Sequence, residues 1–64
     1  MIKMLIWQQR SKRDITLVEL SKMTGISKST LNNFENEKTS PNLLQLEKIS
    51  VALNCEITEL FQQF

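Results

Sequence analysis

Lys28, Ser29, Asn32 and Asn33 recur at helical spacings of one and four, so a helix over these residues puts four hydrogen-bonding side chains on one side. Such a set suits the edges of DNA bases: Lys donates to guanine O6 and N7, Asn pairs bidentately with adenine N7 and N6, and Ser serves either way. Leu31 and Phe34, three residues apart, share the opposite, inward side. The ordinary alternative is a solvated helix surface. Adjacent asparagines tip the reading, because a helix tuned only for stability favours Glu, Lys or Gln at such positions. Other chemistry is scarce. The chain has no His and one Cys, so neither a zinc site nor a His-based catalytic pair can be built, and no metal, cofactor or enzymatic activity is expected. Cys55 has no internal disulfide partner and no adjoining base to activate it, and reads as a small buried apolar residue, with an intermolecular or redox-sensing thiol as the lesser alternative.

The elements that position these residues can be read from their caps. Thr16 followed by Glu19 is a capping box, starting a helix at Leu17. Gly25, the only glycine, can take the left-handed conformation that ends it. After a turn of Thr24, Gly25 and Ile26, Ser27 caps a second helix from Lys28 to about Asn36. Two short helices across a glycine turn form the helix-turn-helix pattern. Upstream, a first helix is expected from about Ile2 to Arg13, with Ile2, Leu5 and Ile6 facing inward and Arg10 on the same stripe. An inward arginine needs a partner, and Glu35 at the end of the Lys28 helix is the candidate for a bidentate pair, the ordinary alternative being an arginine that snorkels to water. Trp7 lies off the stripe; covering the core edge and joining a partner surface both remain open for it. Downstream, Pro41 disfavours helix at Ser40, and Asn42 with Gln45 caps a helix from Leu43 to about Leu53, with Leu43, Leu46, Ile49, Ser50 and Leu53 inward and Asn54 as its stop. A last helix is expected from Ile57 to about Gln63. Its Ile57, Leu60, Phe61 and Phe64 fall on one side, more apolar surface than a terminal helix needs for a core, so part of it is expected to meet a second chain.

Sixty-four residues with 41% apolar content make one small domain with a marginal core, which oligomerisation would help. No apolar run is long enough to span a bilayer and no leader pattern is seen, so a cytoplasmic location without membrane contact is expected. The net charge of +1 conceals a polarity: residues 1–38 hold seven basic and four acidic side chains, the remainder one and three. The basic part carries the helix-turn-helix, and a surface polarised in this way can steer toward phosphates without being basic overall.

Arg10, ITLVELSKMTGIS from Ile15 to Ser27, STLNNFENEKTSP from Ser29 to Pro41, LEKISVALN from Leu46 to Asn54 and ITELF from Ile57 to Phe61 together resemble the phage-repressor, or Cro-type (XRE), helix-turn-helix family. The resemblance covers nearly the whole chain, in order. It implies an all-α, five-helix, lambda-repressor-like domain over residues 1–64, a homodimer that binds a pseudo-palindromic double-stranded operator and represses transcription. By the same resemblance Lys28, Ser29, Asn32 and Asn33 read bases. Thr16, the Leu17 amide, Thr30, Lys38, Thr39 and Ser40 hold phosphates, the helix N-terminus at Leu17 having its own physical rationale. The dimer face draws on Ile57, Phe61 and Phe64, the Arg10–Glu35 pair fits the family pattern, and no small-molecule ligand is implied.

Some residues depart from that pattern. Leu17 stands where members typically carry Gln, leaving only its amide for a phosphate. Asp14 and Glu37 stand where glycine is favoured; Glu enters the left-handed region less readily than Asn or Asp, so the cap after the second motif helix is expected to move to Asn36. Glu37 also brings negative charge toward the phosphates. These departures keep an alternative in view: a protein-binding module of the same fold, antitoxin-like or an adaptor, with weak DNA binding.

Overall fold

The computed structural model describes residues 1–64. Its elements are β1 (Ile2–Met4), α1 (Ile6–Lys12), α2 (Leu17–Thr24), α3 (Lys28–Glu35), α4 (Leu43–Leu53), a 3-10 turn (Ile57–Glu59) and β2 (Phe61–Gln63). Four α-helices and a two-stranded antiparallel sheet therefore replace the expected five-helix, all-α architecture. Both departures lie at the chain ends. Ile2 pairs with Gln63, Lys3 with Gln62 and Met4 with Phe61, and the ladder continues through Phe64 N–H to Met1 O and Leu5 N–H to Leu60 O, each 2.8 Å. The Ile2–Leu5–Ile6 spacing fits a helical stripe, yet a short apolar run fits a strand equally well. Its pairing partner sits at the opposite end of the chain, where no local pattern can reveal it. The two termini satisfy each other's backbone groups, and α1 begins only at Ile6. Ile2, expected inward, is 57% exposed.

The core is nine side chains: Ile6, Leu20, Ile26, Leu31, Phe34, Leu46, Ile49, Leu53 and Leu60. Each helix contributes through its inward stripe, and Leu60 joins them from the segment between the 3-10 turn and β2. Ser50 is buried among them, its hydroxyl donating to Glu47 O at 2.8 Å. Leu43 departs from expectation. It is 74% exposed because it sits in the first turn of α4, where it borders a groove instead of the core.

Helix ends explain how so short a chain turns so often with one glycine. Gly25, at φ +75, ends α2 with its N–H donated to Ser21 O. Three other ends use non-glycine residues at positive φ: Asp14 (+53), Glu37 (+59) and Asn54 (+54). After α3, Lys38 N–H donates to Asn33 O (2.9 Å) and Glu37 N–H to Phe34 O (3.1 Å), the paired bonds of a Schellman closure. The same pairing follows α1, where Ile15 N–H donates to Arg10 O and Asp14 N–H to Ser11 O, both 3.1 Å. Asn36 is the C-cap residue of α3, yet the left-handed turn does not move onto it. It stays at φ −90, and Glu37 itself adopts the left-handed conformation.

Candidate nucleic-acid interface

α2 starts as its sequence dictates: Glu19 N–H donates to Thr16 Oγ1 (3.1 Å) and Thr16 N–H to Glu19 Oε1 (2.9 Å). The Thr16 amide and hydroxyl bonded to Glu19 hold its carboxyl below the usual carboxylate value of 4.5. The Leu17 amide remains at the open N-terminus of α2, where a phosphate oxygen can be received. Glu19 keeps a negative charge beside that position.

Gly25 then reverses the chain, and Ile26, buried in the core, brings it back into α3. Ser27 Oγ accepts from Thr30 N–H at 3.2 Å and donates to Thr30 Oγ1 at 2.8 Å, leaving the Thr30 hydroxyl hydrogen available to an acceptor outside. No acidic residue lies in the first turn of α3, so its positive dipole end is not neutralised and Lys28 adds to it. Leu31 and Phe34 are buried, while Lys28, Ser29 and Asn32 are exposed and Asn33 is half-buried. The four candidate base-reading residues thus lie on the outward side of one helix, with Lys28, Ser29 and Asn32 the most accessible.

α3 is tied to the rest of the domain by one ion pair. Arg10 Nε donates to Glu35 Oε2 at 2.8 Å and Nη2 to Oε1 at 3.0 Å, while Nη1 donates to Ile15 O at 3.0 Å. The two side chains are only 13% and 7% exposed. This two-point geometry fixes the far end of α3 against α1. Arg13 behaves otherwise: its Nη1 donates to Gln9 O and Oε1 at 2.8 and 2.9 Å, so it caps its own helix.

Lys38, Thr39 and Ser40 are exposed on the loop that follows α3. Glu37 turns its carboxylate to the Met4 N–H (3.3 Å), which links this loop to the outer edge of β1. Beside it, Ile2, Met4, Leu43, Leu46 and Phe61 line a groove of about 340 Å³. Of the three residues expected at a dimer face, Ile57 packs against the core, Phe61 is half-buried in the groove and Phe64 is 69% exposed. Trp7 is 56% exposed. Cys55 is half-buried, and that burial, opposed by Arg13 and reinforced by Glu59 and Glu56, pushes its thiol up from 9.0, away from the thiolate a nucleophile needs. No group of three or more His, Cys, Asp or Glu side chains is placed to hold a metal ion, and no helix is long and apolar enough to cross a membrane. Two features escaped sequence reasoning: the Glu37–Met4 link, which depends on the terminal sheet, and a bond from Asn36 Nδ2 to Asn32 Oδ1 at 3.2 Å, whose only signal is the four-residue spacing of two asparagines.

Two helices across a glycine turn, the second held inward by Leu31 and Phe34 and presenting a polar outer side, define a helix-turn-helix domain. Residues 8–60 match the Helix-turn-helix family model. The chain is 35% identical over 52 residues to the SPbeta prophage-derived uncharacterized HTH-type transcriptional regulator YopS of Bacillus subtilis (strain 168), covering 80% of this chain and 70% of that protein. It is 34% identical over 64 residues to the HTH-type transcriptional regulator SinR of the same organism, and equally to SinR of Bacillus licheniformis, covering 98% of this chain and 58% of each relative. The chain belongs to the phage-repressor, or Cro-type (XRE), helix-turn-helix family of DNA-binding transcription regulators.

Proposed function

We propose that this chain is a sequence-specific DNA-binding repressor that acts in the cytoplasm as a homodimer on a pseudo-palindromic operator. The observation that carries the reading is the outward side of α3: Lys28, Ser29 and Asn32 exposed, Asn33 beside them, and no acid in the first turn. In the major groove, Lys28 would donate to guanine, and Asn32 and Asn33 would meet adenine or other acceptor edges. The Leu17 amide with Thr16, together with Thr30, Lys38, Thr39 and Ser40, would hold phosphates on either side and set the register. The dimer is supported by exposed apolar surface around the terminal sheet and the start of α4, namely Ile2, Leu43, Leu44 and Phe64. A twofold axis there would set two copies of α3 about 34 Å apart, one turn of DNA. Occupancy of such a site would exclude polymerase.

Selection of purified protein on a random pool of duplexes at near-physiological salt, with its mass in solution measured alongside, tests this. A twofold consensus bound by a dimer is expected. Failure to enrich any sequence, with binding no tighter than about 10⁻⁴ to 10⁻⁶ M, would overturn it and leave the protein-binding module as the reading of the fold.

A further inference from the structure

The outward side of α3 contains one contact between candidate base-reading chemistry and a residue outside that set: Asn36 Nδ2 donates to Asn32 Oδ1 at 3.2 Å. A side-chain amide on a helix surface is two-faced, because rotation about its last torsion exchanges carbonyl and amino group at little cost. Base recognition is sensitive to that exchange. The adenine of an A·T pair offers N7 as acceptor and N6–H as donor in one order across the major groove, and T·A offers them in the reverse order.

We infer that Asn36 is a positioning residue that sets the orientation of the Asn32 amide and so decides which order of acceptor and donor Asn32 reads. This rests on α3 being the base-reading helix. With Oδ1 engaged by Asn36, the Asn32 carbonyl is held toward the C-terminal end of α3 and its amino group is turned away from it. One lone pair of Oδ1 and both amino hydrogens stay available for a base, in fixed order. Asn36 is itself well held: its backbone N–H donates to Asn32 O at 3.0 Å, and the Schellman closure through Glu37 and Lys38 locks the residues that follow. The carbonyls at the end of α3 make the negative pole of the helix, which favours the Asn36 amino group, rather than its carbonyl, turned back onto the helix. Asn36 needs no contact with DNA to act in this way.

The test compares wild-type protein with Asn32→Ala, Asn36→Ala and Asn36→Asp on the duplex selected by the wild type and on its single-base-pair variants. Asn32→Ala identifies the pair that Asn32 reads. Asn36→Ala, at an ordinary φ of −90 and checked for an unchanged melting profile, is expected to lower discrimination at that same pair by about fivefold or more while other positions change little. Asn36→Asp offers only acceptors, so Asn32 must donate to it and the amide reverses; preference at that pair is expected to move toward the opposite order, whatever the overall loss from added negative charge. An Asn36→Ala protein that binds every duplex equally more weakly with its base profile unchanged overturns the inference, as does an Asn36→Asp protein that keeps the wild-type order. A wild type that selects no sequence overturns the base-reading role of α3 and this inference with it, an outcome distinct from the other two.

Discussion

Replacing Arg10 with Met keeps most of the aliphatic stem but leaves the Glu35 carboxylate, 7% exposed, without either of its hydrogen bonds, and leaves Ile15 O without its donor. Losing one partner of a buried pair costs about 3–5 kcal/mol, most of it the penalty of an uncompensated charge. An exposed pair would cost only about 0.2–1 kcal/mol. With both side chains under one-seventh exposed, the buried figure applies, and a loss of about 3 kcal/mol is expected. Globular proteins hold about 0.05–0.15 kcal/mol per residue, so a chain of this length has roughly 3–10 kcal/mol in all. Arg10→Met therefore removes a third or more of the stability. Replacing both partners, as Arg10→Met with Glu35→Leu, removes the stranded charge and restores much of the loss. Urea denaturation followed by far-ultraviolet circular dichroism on wild type, both single variants and the double variant closes a mutant cycle, with a coupling of about 1.5–3 kcal/mol expected. Single-variant losses below about 1 kcal/mol, with no coupling, would mean that the pair behaves as an exposed one.

Asp14 has no side-chain hydrogen bond and sits at φ +53, so Asp14→Gly should relieve left-handed strain and stabilise the fold by about 0.5–1 kcal/mol, seen as a higher urea midpoint. Glu19 has a folded pKa below its ordinary 4.5, so its cap contributes stability above that value and loses it as pH falls through the depressed pKa. Acid titration of Glu19→Gln should accordingly show a flatter stability profile below pH 4.5 than wild type. On a selected duplex, Lys38→Ala should weaken all sequences alike and reduce the slope of log affinity against log salt by about one. A change in base preference would instead place Lys38 in the groove.

What the sequence made legible follows from which forces are local. Both full capping boxes, Thr16 with Glu19 and Asn42 with Gln45, act within four residues, and the α2 and α4 starts follow from them. Gly25 and Asn54 mark their helix ends for the same reason. Arg10 was legible one step further out, because a charge on an apolar stripe demands a partner and only a few carboxylates lie within reach. The terminal sheet was not legible, since β1 and β2 have short, mixed patterns whose meaning depends on each other. The left-handed Glu37 is hidden from the sequence for a related reason. Its left-handed conformation is held by the Schellman bonds after α3 and by the Met4 amide of β1, a strand whose local periodicity fits a helix equally well.

In the proposed complex, DNA meets this protein along α3 and the segments flanking it. Titrating isotopically labelled protein with its selected duplex, and following backbone and Asn side-chain amide signals by NMR, tests it most directly. The largest shifts are expected at Thr16 and Leu17, from Lys28 to Asn33 and from Lys38 to Ser40, with the outer side of α4 at Leu44, Lys48 and Val51 little changed. Shifts concentrated on α4 or the terminal sheet, with α3 silent, would contradict it.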